Sequence, residues 1–122
     1  MATKVIVVDD SRSARLQICN TLTAAGYCVV EATDGLDGLH KMAANPDAGL
    51  VLCDINMPNM NGIDMLVAAG TEGLRAGKRF LMLTTETHPE LMREAMRHGA
   101  EGWVVKPFKP ERLVAVIQKL AG

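Results

Sequence analysis

Apolar residues in this chain follow two rhythms. Short unbroken runs occur at Lys4-Val5-Ile6-Val7-Val8, Gly49-Leu50-Val51-Leu52-Cys53, Arg79-Phe80-Leu81-Met82-Leu83 and Trp103-Val104-Val105. Such runs, bounded by polar turns, predict strands buried on both faces, as in a parallel sheet. Tyr27 to Glu31 reads as a further strand, second in chain order. Between the strands the apolar positions recur at helical spacing. Ala14, Ile18, Leu22 and Ala25 mark a first helix that Gly26 stops. A second helix is predicted from Gly35 to Ala44, broken by Asn45-Pro46, and a third around Ile63 to Leu74. Thr87-His88-Pro89-Glu90 offers a capping box for a fourth helix running to Gly99. Pro110 opens the fifth, with Leu113, Val116, Ile117 and Leu120 as its core face.

Strand and helix thus alternate five times, the pattern of a doubly wound α/β domain. Right-handed crossovers restrict its topology. The strand order 2-1-3-4-5 common to flavodoxin-like sheets would set strands 1 and 3 side by side at the switch point.

What ends the runs matters more than the runs themselves. The first strand leads into Asp9-Asp10, the third into Asp54, the fourth into Thr84 and the fifth into Lys106-Pro107. Ligands of open α/β sheets bind beyond the carboxyl ends of the strands, so these groups are expected to converge on one crevice. Three crowded carboxylates raise one another's pKa and resist desolvation, which calls for a cation. Mg²⁺ suits oxygen ligands of this kind and commonly shares them with a phosphate oxygen. Zinc does not, since no Cys or His lies at these strand ends.

With such a cation present, Asp54 is the expected nucleophile, as the lone acid ending a central strand. Asp9 and Asp10 are the expected metal ligands. Lys106 can supply a point charge and Thr84 a hydroxyl to a phosphoryl group. Lys106-Pro107 is a candidate cis peptide that would turn the ammonium back across the strand ends.

Charge and composition exclude other classes. Thirteen Lys and Arg against fourteen Asp and Glu leave a net charge of −1, with no basic stripe for nucleic acid. Four aromatic residues (Tyr27, Phe80, Trp103, Phe108) are too few for a base-stacking surface. No signal-peptide pattern or membrane-length apolar run is present, so a soluble cytoplasmic protein without a membrane partner is expected. Cys19, Cys28 and Cys53 lack metal or redox spacing and read as buried thiols. With 122 residues ending at the fifth helix, a single domain over 1–122 with no output domain is expected.

Val8-Asp9-Asp10-Ser11, Asp54-Ile55-Asn56-Met57-Pro58-Asn59-Met60-Asn61-Gly62, Thr84-Thr85-Glu86 and Lys106-Pro107-Phe108 together resemble the receiver domain of two-component response regulators. The likeness runs from first strand to last helix and is nearest to chemotaxis receivers of the CheY type, echoed in Gly102-Trp103-Val104-Val105-Lys106-Pro107-Phe108. It implies that Asp54 takes a phosphoryl group from a histidine kinase. It also implies that Asp9, Asp10, Asp54 and the Asn56 carbonyl hold Mg²⁺, while Thr84 and Lys106 contact the phosphoryl group. It further implies a switch in which Thr84 moves inward and an aromatic on strand 5, here Trp103, changes rotamer. The output face implied is helix 4, strand 5 and helix 5, with Met92 and Trp103 as contacts for a downstream protein. Asn56 and Glu86 would tune phosphate lifetime, and a monomer is expected.

Plainer readings stand beside these. Asp10 alone serves equally as the N-cap of the first helix. His40, His88 and His98 read as solvated helix residues. Met57 and Met60 are either core filler or partner contacts, and Trp103 is either packing or a switch. For the molecule as a whole, one alternative is a haloacid-dehalogenase-like phosphatase. Such enzymes carry a second acid two residues after the nucleophile, where this chain has Asn56. Another is a constitutively binding pseudo-receiver adaptor, whose usual mark is a missing acid or lysine. A flavin-binding protein would need phosphate-cradling loops that the acidic first loop opposes.

Overall fold

The computed structural model describes residues 3–57, 60–85 and 89–121. Ten elements alternate along it: β1 Lys4–Val8, α1 Arg12–Ala24, β2 Cys28–Ala32, α2 Gly35–Ala44, β3 Leu50–Asp54, α3 Gly62–Thr71, β4 Arg79–Thr84, α4 Pro89–Arg97, β5 Ala100–Val105 and α5 Pro110–Ala121. The strands form one parallel sheet in the order β2-β1-β3-β4-β5, as expected.

The sheet separates two apolar layers. Because side chains alternate along a strand, Ile6, Val8, Val51, Cys53, Phe80 and Met82 face one side, packed with Leu39, Met42, Met65, Leu66 and Ala95. Val5, Val7, Leu50, Leu52, Leu81, Leu83 and Val104 face the other, with Ile18, Leu22, Leu113 and Ile117. Crossover handedness explains the division. The chain moves outward from β1 to β2, then reverses toward β3, β4 and β5. Right-handed connections therefore send α2, α3 and α4 to the face opposite α1 and α5.

Several boundaries differ from expectation. The third helix ends at Thr71 and not Leu74, because Glu72 caps it and Gly73 turns the chain at φ +73°. Strand 5 begins at Ala100, three residues before the apolar run. Ala25 lies past α1 as its exposed C-cap, and Gly26 follows at φ +94°. The expected capping residues Thr87 and His88 lie outside the described residues, although α4 does begin at Pro89. His40 is exposed on α2, but His98 is half-buried in the turn after α4 rather than on a helix face. Met57 is buried and Met60 packs against the same core layer, which makes both filler.

The cysteines divide. Cys53 is fully buried and Cys19 is 9% exposed, but Cys28 is exposed, contrary to expectation. Cys28 opens an edge strand paired on one side only, to Lys4 of β1. Burial, then the Glu31 charge, push the Cys19 thiol up to about 11, and burial holds Cys53 well above the usual range. Since the thiolate is the reactive form, brief alkylation of the folded protein is expected to modify Cys28 alone by peptide mapping. Equal labelling of Cys19 or Cys53 would contradict this packing. Among the described residues, no helix is long and apolar enough to cross a membrane.

Candidate functional site

Three turns build the site. After β1 the chain must leave the sheet and enter α1 within three residues. Asp9 manages this by accepting the Ser11 backbone N–H on Oδ1 at 2.9 Å. Ser11, not Asp10, caps α1, its Oγ accepting the Ala14 N–H at 3.3 Å. The helix-cap alternative for Asp10 is therefore set aside, and its exposed carboxylate is left for other work. Asp54 ends β3 in the same way, accepting the Asn56 N–H on Oδ1 at 2.9 Å.

Close packing fixes the floor beneath Asp54. Gly62 donates its N–H to the Ile55 carbonyl at 3.2 Å and begins α3 directly against the end of β3. A Cβ at Gly62 would stand 2.6 Å from the Asp54 carbonyl oxygen and 2.9 Å from Met82 Cε, so only glycine fits. Asn61 caps this helix, its Oδ1 accepting the Asp64 N–H at 2.9 Å.

Asp9 and Asp54 are 0% and 4% exposed, and such burial is costly for charged groups without a partner. Lys106 is that partner. Its ammonium donates to Asp9 Oδ2 at 2.7 Å and to Asp54 Oδ2 at 3.0 Å. The Lys106–Pro107 peptide is cis. Burial pushes the Asp54 pKa up, against the Lys106 hydrogen bond that pulls it down, and the net shift is upward. For Lys106, burial lowers the pKa, but hydrogen bonds and charges from Asp9 and Asp54 together outweigh it. The site is thus poised around one cation and two buried anions.

Asp9, Asp10 and Asp54 each offer an oxygen within 4.8 Å of the others. An all-oxygen set of three carboxylates fits a hard divalent cation such as Mg²⁺ and does not suit zinc. Thr84, 2% exposed, follows Leu83, the register partner of Asp54, and its carbonyl accepts the Lys106 N–H at 2.7 Å. Asn56 is exposed beside the mouth, its Nδ2 donating to Thr85 Oγ1 at 3.1 Å. Glu86 lies outside the described residues.

The structure brings Asp9, Asp10, Asp54 and Lys106 into one cluster, with Thr84 and Asn56 at its border. Trp103 and Met92 lie elsewhere. With Pro89, Arg93, Met96 and Arg97 they line an apolar groove of about 660 Å³ on α4 and β5. Met92 is 8% exposed at its base and the Trp103 indole is 42% exposed.

Sequence reasoning missed Arg15. Its guanidinium donates to the Asp9 carbonyl at 2.8 Å and to Glu31 Oε1 at 3.1 Å, pinning the acidic turn to β2. Nothing in the spacing of Arg15 marks it, because the contact depends on β2 lying beside β1.

Comparison with known proteins agrees with this geometry. A family model described as the response regulator receiver domain matches residues 5–118. The chain is 37% identical to chemotaxis protein CheY1 of Helicobacter pylori over 125 residues, covering 98% of this chain and 97% of that protein. It is 33% identical to a chemotaxis protein CheY homolog of Campylobacter jejuni, covering 98% and 92%. Among solved structures, chemotaxis protein CheY4 of Vibrio cholerae superposes with a TM-score of 0.91 at 41% identity, covering 98% and 99%.

Proposed function

This chain belongs to the response regulator receiver family and is of the CheY type, a phosphoacceptor signalling class, and from that premise we propose that Asp54 is its phosphoacceptor. The phosphoryl group comes from a histidine kinase. The observation that carries the reading is the Lys106 ammonium bridging two buried carboxylates at 2.7 and 3.0 Å. A lysine and acids so placed can meet a phosphoryl group and a divalent cation together.

In this mechanism an Asp54 carboxylate oxygen attacks phosphorus as the bond to the donor's leaving group breaks. Phosphoryl transfer needs positioning and charge neutralisation more than covalent assistance. Lys106 supplies a positive charge to the incoming oxygens, and the Thr84 hydroxyl supplies a hydrogen bond. Asp9, Asp10, Asp54 and the Asn56 carbonyl would hold Mg²⁺, which when bound offsets charge on the transferring group. Asn56 and Glu86 set the lifetime of the acyl phosphate. The protein catalyses only its own phosphorylation and dephosphorylation.

Phosphorylation alters the turn after β4, and Trp103 transmits the change to the face of α4, β5 and α5. A downstream protein docks there, with the Met92–Trp103 groove as its centre and Arg93 and Arg97 on its rim. Incubation with acetyl phosphate and Mg²⁺ is expected to add one phosphoryl group, mapped to Asp54 by mass spectrometry. The variant Asp54→Asn is expected to stay unlabelled. Label on another residue, or label retained in the variant, would refute the assignment.

A further inference from the structure

Asp9 is held at each of its polar atoms. Its N–H donates to the Ala32 carbonyl at 3.1 Å, and its own carbonyl accepts from Arg15 at 2.8 Å. Its Oδ1 accepts the Ser11 N–H and its Oδ2 the Lys106 ammonium. Both backbone contacts trace to the last two residues of β2. Ala32 takes the N–H directly, and Glu31 anchors the carbonyl through the guanidinium, its Oε1 accepting from Arg15 Nε at 3.1 Å. Arg15 is itself tied to the same turn, its N–H donating to the Ser11 carbonyl at 2.9 Å.

The consequence falls on Asp10. The Asp9 carbonyl belongs to the planar peptide that carries Asp10, and only φ and ψ of Asp9 can turn that plane. With the N–H and the carbonyl both fastened, the direction in which the chain enters Asp10 is fixed. Asp10 is exposed, and Ser11 holds the cap of α1, so the placement of Asp10 depends on the peptide before it. The Arg15 side chain is only 13% exposed and Glu31 offsets its charge. Its influence on the acidic cluster is therefore directional more than electrostatic.

We infer that Arg15 is a positioning residue that sets which divalent cation the acidic cluster prefers. The inference rests on Asp9, Asp10 and Asp54 being metal ligands. Mg²⁺ demands near-octahedral oxygens at about 2.1 Å, whereas Ca²⁺ accepts a looser shell at about 2.4 Å. A turn fastened at both ends of Asp9 resists widening to follow the larger ion. Freed from Arg15, the Asp9–Asp10 peptide can rotate, and the pair can spread to meet either ion. Groups that orient metal ligands in this way carry about ten- to a hundredfold in metal affinity. Two effects of removing the guanidinium then separate. Losing a positive charge strengthens both dications alike and cancels in the ratio of their Kd values. Losing the hold on the turn weakens Mg²⁺ more than Ca²⁺, and lowers the ratio of the Ca²⁺ to the Mg²⁺ Kd.

The test is calorimetric titration of the metal-free protein with MgCl₂ and, separately, with CaCl₂. The wild type is expected to bind Mg²⁺ the more tightly. Arg15→Met should lower the ratio of the Ca²⁺ to the Mg²⁺ Kd about tenfold. Arg15→Lys should lower it as well, since an ammonium keeps the charge but lacks the rigid fork that reaches the Asp9 carbonyl and Glu31 together. Glu31→Gln, whose carboxamide oxygen still accepts from Nε, should stay near wild type. Glu31→Ala, at an exposed side chain, should lower the ratio if Arg15→Met fails to fold. An unchanged ratio in folded Arg15→Met or Glu31→Ala, even with tighter binding of both ions, would overturn the inference. No preference for Mg²⁺ in the wild type would overturn it too. Either result would leave the metal ligands standing, whereas a wild type that binds neither ion would overturn the ligand assignment with it.

Discussion

Lys106→Met is expected to destabilise the metal-free protein by about 3 kcal/mol, near the low end for removing one partner of a buried ion pair. The ammonium retains some solvent contact, its side chain being 15% exposed, which argues against the upper end. Without it, Asp9 and Asp54 face each other with no internal cation, and Asp54 already titrates upward through burial. Its native-state pKa should then rise further. A carboxylate with a raised folded pKa contributes stability that is full below its unfolded pKa and is lost as pH rises through the folded value. The deficit relative to wild type should therefore shrink in acid and reach its full size above the raised Asp54 pKa. Mg²⁺ should recover much of the loss, since a cation at a hundred times its Kd stabilises by about 2.7 kcal/mol. Urea unfolding in chelator and in Mg²⁺, each at acid and neutral pH, measures all of this. A variant as stable as wild type in chelator at neutral pH would show that the carboxylates do not depend on the ammonium.

Gly62→Ala should be the most damaging single-methyl change near the site. Its Cβ would fall 2.6 Å from the Asp54 carbonyl oxygen and 3.0 Å from Ile55 Cα. Both obstacles are backbone, so no rotamer relieves them, and overpacking of this kind costs about 2–3 kcal/mol. Because the clash lies under Asp54 itself, the phosphorylation rate should fall along with stability. Gly49→Ala provides the contrast, since a methyl there meets nothing within 4 Å. Its effect should stay within about 0.5 kcal/mol, as for most surface changes. Thermal unfolding and acetyl phosphate labelling of both variants check the pair, and equal tolerance of the two would contradict the packing.

Much of this architecture was legible from local pattern because the fold is written in local terms. A parallel strand buried on both faces needs an unbroken apolar run, and the residue after it must occupy the functional edge. Hence Asp9, Asp54, Thr84 and Lys106 could be placed before their distances were known. Contacts between elements distant in sequence were not legible. Arg15 reaches Asp9 and Glu31 only because β1 and β2 are neighbours, and Thr85 meets Asn56 only across two loops. The cap alternative for Asp10 stood open in the sequence because Asp and Ser are about equally good N-caps. Only the turn shows that Ser11 takes that role and Asp10 stays outside. The error at Cys28 has a similar origin, because an apolar run does not reveal whether its strand lies at the centre or at the rim.

The exposed indole of Trp103 has a practical consequence. It is the sole tryptophan of the chain and sits in the α4–β5 groove, apart from the acidic cluster. Indole emission responds to polarity, so this molecule carries a built-in optical probe at the docking face proposed above. On the proposed coupling, chemistry at the acidic cluster is expected to change that emission, readable with no attached dye.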